Sequence, residues 1–180
     1  MSHRPYIEER SREYHRWLTA GFVHANWPHL IINMFVFYQF GEIVEAYFLQ
    51  LFGSIMGRVN FLLLYIITIV AANAPTFFKH RHNPTFASVG ASGAVSGIVF
   101  AFILFDPWAM LGLFFIIPCP AILAGVLFLA YSQYASRKMG DRIDHVAHHY
   151  GALFGFFLTV ALRWELLPRF LNEVVAGLPF

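Results

Sequence analysis

An all-α membrane protein, a single polytopic helical bundle of about five spans over residues 1–180, is the fold this sequence predicts. Three observations carry that prediction. Hydrophobic residues make up 58% of the chain and charged residues only 12%, about half the charged share of an ordinary soluble domain. Five stretches contain no Asp, Glu, Lys or Arg: Trp17–Gly41, Val59–Phe78, His82–Phe105, Pro107–Ser136 and His145–Leu162. Each approaches or exceeds the roughly 18–20 residues that a helix needs to cross about 30 Å of hydrocarbon. None alternates every second residue as a porin strand does, and helices satisfy their own backbone in lipid.

Taken in order, residues 1–16 form a polar N-terminal segment rich in Arg and Glu, without the apolar run of a cleavable signal peptide. Insertion is therefore expected to be driven by the spans. Gly53, Gly57 and Arg58 separate the first span from the second. Asn83-Pro84 precedes the third, whose helix is expected to start near Phe86, and Asp106-Pro107 ends it. Pro118 and Pro120 interrupt the fourth stretch, which divides into an interfacial segment, Trp108–Pro118, and a helix over Ala121–Ala135. Arg137–Asp144 reads as a polar loop, His145–Leu162 as the last span, and residues 164–180 as an interfacial tail. Cys119 is the sole cysteine, so no intrachain disulfide is possible. A net charge of +2, with Lys79-His80-Arg81-His82 and Arg137-Lys138 as solvated loop clusters, argues against nucleic acid as a partner.

In a serpentine of five spans the first, third and fifth run the same way, so their N-terminal ends share one membrane face. Those ends carry the polar groups: His24, His29 and Asn33, then Ser92, then His145, His148 and His149. At about 1.5 Å per residue, Ser92 is expected on the order of 8 Å inside its helix and His148 about 6 Å below Asp144, at matching depth. Three distant segments thus converge on one shallow site.

Ser92 lies in Gly90-Ala91-Ser92-Gly93, where the glycines allow a partner backbone to approach and expose the hydroxyl. A serine in a membrane helix can also simply bond back to a carbonyl one turn earlier. Ser88, Ser92 and Ser96 would form one stripe, and Ser96, followed by Gly97, competes as nucleophile; access by water favours Ser92. His148 is the base candidate, because Ala147, Gly151 and Gly155 make a small-residue face able to meet Gly93 and Gly97, and neutral imidazole activates such an alcohol. For His145 and His149 a solvated interfacial position is the preferred reading. His29 and Asn33 share a helix face and could donate to an oxyanion, with helix-to-helix hydrogen bonding as the alternative. His24, nearer the interface, is expected to hold the preceding loop.

Together these strings resemble the rhomboid family of intramembrane serine proteases, from Tyr14 to about Leu162. The matching elements are Arg16, then His24-x4-His29-x3-Asn33, Gly41 and Glu45, then Gly90-Ala91-Ser92-Gly93, and finally Ala147-His148-x2-Gly151-x3-Gly155. The resemblance implies a rhomboid-type bundle lacking the usual first helix of six, and a serine endopeptidase that cleaves transmembrane segments of membrane-anchored proteins within the lipid bilayer. It implies Ser92 as nucleophile and His148 as base in a dyad without an acid. His29, Asn33 and the Ser92 amide would form the oxyanion hole, Arg16 and Glu45 would be structural, and neither cofactor nor metal is called for. A departure is Ser96, where the family often carries an aromatic stacked on the histidine. The implied location is a multi-pass integral protein of a bacterial cell membrane.

Two other functions fit parts of the sequence. The nine histidines suggest a metal-binding membrane enzyme or transporter, with zinc on His145, His148 and His149 plus His24 or His29, yet no carboxylate accompanies them inside a span. A non-catalytic rhomboid-like chaperone would have no chemical need for Ser92, His148, His29 and Asn33 together. Orientation is contested by charge, since Arg4, Arg10, Arg12, Arg16, Lys79, Arg81, Arg137, Lys138 and Arg142 all fall on the dyad face. The positive-inside rule would turn that face to the cytoplasm; the family orientation, facing away from it, is the one expected here.

Overall fold

The computed structural model of the chain describes residues 1–113, 117–138 and 143–178. Residues 139–142 of the expected polar loop, Arg142 among them, lie outside the described residues, as do residues 114–116 of the expected interfacial segment and 179–180 of the tail. The elements are α1 (Pro5–Ser11), α2 (Arg16–Thr19) with a 3-10 turn at Ala20–Phe22, α3 (Trp27–Phe52), α4 (Ser54–His80) and α5 (Ser92–Phe105). Then come β1 (Met110–Leu113), β2 (Ile117–Pro120), α6 (Ala121–Ala135), α7 (His145–Leu162) and α8 (Leu166–Ala176).

The first long helix starts later than the charge-free stretch suggests. Asn26 caps α3 by accepting the His29 N–H at 2.9 Å, and Pro28 sits in its first turn, where a missing N–H costs nothing. Trp17 and its neighbours instead form the short helices that lead in. At the far end α3 runs past Gly41 to Phe52, carrying Glu42 and Glu45 with it. Gly53, at φ +80°, then turns the chain directly into α4, a conformation that favours glycine. Glu45 and Arg58 face each other across this turn, 3.7 Å apart.

Helix α4 inverts the partition of a soluble helix. It exposes Ile55, Met56, Val59, Leu62, Leu63, Ile67 and Val70 while burying Asn60, Thr68, Asn73 and Thr76. Two of these buried groups serve as ties: Asn73 Nδ2 donates to the Trp17 carbonyl at 2.7 Å, and Thr76 Oγ1 to Asp144 Oδ1 at 2.9 Å. Apolar outside and polar inside is the arrangement for which hydrocarbon is the solvent. Among the described residues α4 alone has the length and apolarity of a full crossing; α5 and α6 are shorter apolar helices, and α7 meets α8 at a bend of 116°. Five long helices thus follow the order of the five expected spans, without each being a full-length one.

Helix α5 is the centre of the bundle. It is apolar all round and buried at eleven positions from Gly93 to Phe105, against α3, α4 and α7. Its contact with α7 is backbone on backbone. A Cβ built on Gly97 would stand 2.9 Å from the Gly151 carbonyl oxygen and 3.2 Å from the Gly155 Cα, and one on Gly155 would collide with the Gly97 backbone. Gly93 meets Ala147 and Gly151 while Gly97 meets Gly151 and Gly155, so the two helices run in the same direction, as the serpentine predicts, and touch along the small-residue face of α7.

The remaining departures are local. In place of a plain interfacial segment, β1 and β2 pair antiparallel with Met110 opposite Pro120 and Leu111 opposite Cys119. Helix α6 begins at Ala121, directly after Pro120. Helix α7 begins at His145, capped by Asp144 accepting the Ala147 N–H at 2.9 Å. Helix α8 docks through Leu166 and Phe170 and by the Trp108 indole N–H donating to the Glu173 carbonyl at 2.9 Å.

Because the α5–α7 contact leaves no room for a methyl group, Gly155→Ala should destabilise the fold by roughly 1–3 kcal/mol. Leu62→Ala, on the outer face of α4, should change stability by less than about 0.5 kcal/mol. Thermal unfolding of both variants in the same detergent checks this, and equal losses would mean that the helices are not in backbone contact.

Candidate active site

Ser92 is the first residue of α5 rather than a residue one or two turns inside a helix begun near Phe86. The cause lies in the preceding turn. Gly90 adopts φ +122°, which ends any helix approaching from upstream, and Ser88 is drawn out of helical geometry by an antiparallel bridge to His3. Ser88, Ser92 and Ser96 therefore do not form a helical stripe.

This position changes the chemistry available to Ser92. The first N–H groups of a helix lack intrahelical acceptors and form its positive end. No side chain caps them here, since Ala91 holds the N-cap position. The Ser92 hydroxyl is thus set at the mouth of a ready anion-stabilising group.

His148 lies in the first turn of α7, and its Nε2 is 2.6 Å from Ser92 Oγ. Gly93 lies so close to the Ala147 carbonyl that a Cβ there would stand 3.1 Å from its oxygen and 2.8 Å from the Ala72 Cβ, the close approach that this hydrogen bond needs. Ser96 has no such partner: its Oγ donates at 2.8 Å to the Ser92 carbonyl, the back-bond typical of a structural serine. The expected family aromatic is missing at Ser96, but another ring stands beside the imidazole. Phe128 of α6 lies 6.3 Å from His148, tilted by 31°, and His145 sits edge-on at 6.0 Å. Nothing in the sequence marks Phe128 among 21 phenylalanines; its role comes from where α6 lands.

Ser92, Ser96, His148 and Asn33 line a cavity of about 360 Å³ between α3, α5 and α6, whose other walls are apolar and whose far end is reached by Ile103 and Leu111. Asn33 is 5% exposed and donates one amide hydrogen to the His29 carbonyl at 2.8 Å. An amide carries two donors, so the second remains for the cavity. His29 is not among the residues lining it. Its imidazole packs over Gly90, filling the space that a side chain there would need, and meets the His24 ring at 5.2 Å. Burial, and secondarily the neighbouring His29, lowers the His24 pKa from its ordinary value, so His24 enters this loop as a neutral packing group.

The other histidines part company. His145 is 5% exposed with its ring edge against Tyr131, and His149 Nδ1 is 3.2 Å from Ser132 Oγ of α6. His145 is thus buried rather than solvated at the interface, with α6 beside it, whereas His149 is only partly buried and is tied to α6. Among the described residues no three His, Cys, Asp or Glu side chains gather as a metal site would require. Arg16 bonds Glu13 at 2.5 Å and the Ser2 carbonyl at 3.2 Å, a tie within the N-terminal segment.

A model of the rhomboid domain matches residues 11–165. The chain is 32% identical over 180 residues to Rhomboid-like protein 11, chloroplastic, of Arabidopsis thaliana, covering 92% of this chain and 56% of that protein. It is 31% identical over 170 residues to RHOMBOID-like protein 12, mitochondrial, of the same plant, covering 89% and 48%. With Rhomboid protease GlpG of Haemophilus influenzae it shares 31% identity over 99 residues, 55% of this chain and 45% of that one. The chain spans about half the length of these curated relatives. The two plant relatives are named as chloroplastic and mitochondrial, so the expected bacterial cell membrane is not supported. With the match extending over most of its length, the chain belongs to the rhomboid family of integral membrane proteins.

Proposed function

We propose that this chain is an intramembrane serine endopeptidase that cuts transmembrane segments of other membrane-anchored proteins by a Ser92–His148 dyad, with the five long helices as its membrane spans. The observation that carries the reading is the 2.6 Å approach of His148 Nε2 to Ser92 Oγ in the wall of an otherwise apolar cavity. With the imidazole neutral and its proton on Nδ1, Nε2 takes the hydroxyl proton as Ser92 Oγ bonds to the scissile carbonyl carbon. The carbonyl oxygen becomes an oxyanion facing the uncapped N–H groups of α5 and the second hydrogen of Asn33. His29, seated on the Gly90 turn, is the further donor of this proposal.

Collapse of the tetrahedral intermediate breaks the C–N bond, and His148 returns its proton to the leaving amine. A water molecule, deprotonated by the same nitrogen, then releases the acyl group from Ser92. Similarity to a relative named a protease supports the reading, as does Ser96's engagement with its own helix. Surrounding the dyad with apolar walls strengthens its hydrogen bonds relative to water.

Reaction of the detergent-solubilised protein with a fluorophosphonate, followed by peptide mapping, should modify Ser92. Ser92→Ala should abolish both labelling and cleavage of a membrane-anchored substrate, while Ser96→Ala should retain both. A wild-type protein that stays unlabelled would favour a non-catalytic role. Prolonged treatment with strong chelators should leave cleavage unchanged, and loss restored by zinc would instead favour the histidine-metal reading. Asn33→Ala should lower turnover on the order of 10²-fold with a smaller change in KM. Full turnover in an Asn33→Ala protein of reduced melting temperature would make Asn33 structural only.

A further inference from the structure

Residues 1–16 were read above as a polar leader, yet the structure buries part of them more deeply than most of the bundle. His3 and Glu8 are both 0% exposed, with His3 Nδ1 2.9 Å from Glu8 Oε1. Glu8 Oε1 also accepts the Arg4 N–H at 2.6 Å, closing the first turn of α1. A buried ionisable pair is expensive unless its geometry is good and its other groups are engaged. Neither residue touches the dyad, so the mechanism leaves them unexplained.

Their placement supplies a reason. The His3 N–H donates to the Ser88 carbonyl at 2.9 Å, and the Ser88 N–H returns a bond to the His3 carbonyl at 3.0 Å. Ser88 opens the turn that ends at Ser92. That turn is held at two further points, by the Gly90 N–H donating to the Ala20 carbonyl at 3.0 Å and by the His29 ring against Gly90. The His3 ring also stands edge-on to Trp17, 6.5 Å away, so the segment is clamped between the lead-in to α3 and the nucleophile turn.

We infer that the His3–Glu8 pair is a positioning device, which holds the N-terminal segment as a strap on the Ser88–Ala91 turn and thereby fixes Ser92 against His148. The inference rests on the dyad reading for its catalytic half. Its mechanical half, the restraint on the turn, is independent. A dyad at 2.6 Å has little tolerance, and displacement of a reacting group by an ångström costs up to about a hundredfold in rate.

The test compares His3→Leu, which deletes the donor, with His3→Asn, whose amide nitrogen takes the place of Nδ1. All measurements are made well below each variant's melting temperature. His3→Leu should slow fluorophosphonate labelling of Ser92 and lower kcat by roughly ten- to a hundredfold with KM nearly unchanged, and His3→Asn should recover most of the loss. Hydrogen exchange at the Ser88 and Gly90 amides should accelerate in His3→Leu and not in His3→Asn. Wild-type kcat in His3→Leu, or equal loss in both variants, would overturn the positioning role. Unchanged exchange at Ser88 would overturn the strap itself. An unlabelled wild type would overturn the dyad reading and the catalytic half with it, while accelerated exchange in His3→Leu would still sustain the strap.

Discussion

Everything at the site depends on how closely two backbones approach. Gly93 and Gly97 on α5, facing Ala147, Gly151 and Gly155 on α7, bring the helices into contact with no side chain between them. Between helices in lipid there is no hydrophobic drive toward association, because hydrocarbon solvates a leucine as well as another helix does; van der Waals contact and polar ties must suffice. The same closeness has a chemical result. The hydroxyl of Ser92 and the imidazole of His148 are short enough reaches from their backbones to bond only if the axes nearly touch.

The rest of the bundle distributes polar groups to match. Asn73 and Thr76 of α4 are spent inward on Trp17 and Asp144, while the outward face of that helix is Ile, Leu and Val. Asp144 links two helices, since it caps α7 and takes the Thr76 hydroxyl from α4. The first turn of α7, where His148 sits, is therefore tied to the neighbouring helix as well as to α5. On its other side Phe128 of α6 stands 6.3 Å from the imidazole, tilted by 31°, an aromatic neighbour where Ser96 supplies none.

The sequence was most legible where local chemistry decides. Pro120 and Asp144 mark the starts of α6 and α7, and both helices have the expected bounds. Glycine spacing on α7 also foretold its contact with α5. It was least legible where a tertiary partner decides. A stretch free of charge is not yet a helix: Trp17 begins such a stretch, but α3 starts only at Trp27, after the Asn26 cap. The late start of α5 depends on a positive φ at Gly90 and on pairing between Ser88 and His3, which are far apart in sequence. His145 was misjudged for the same reason, as it is buried with its ring against Tyr131 of α6, and the β1–β2 pair carried no turn signature in its Pro-Cys-Pro run. Ser92, His148 and Asn33, which line one cavity, stood out as candidates because a histidine or asparagine at a span end has few inexpensive uses and the serine is flanked by glycines.

The two helix ends at the dyad differ in a way that suits the chemistry. Helices α5 and α7 are parallel, so their positive N-terminal ends lie side by side, a poor setting for an imidazole that must become a cation. At α7 this is offset by the Asp144 carboxylate bonded to the Ala147 N–H, which neutralises the end where His148 must hold a proton. At α5 no side chain caps the helix, so the positive end beside Ser92 stays uncompensated until negative charge arrives. In the proposed reaction, negative charge arrives only when the substrate carbonyl is attacked. One capped and one uncapped end thus separate the two charges that the proposed reaction creates, and the uncapped end favours the transition state over the resting site.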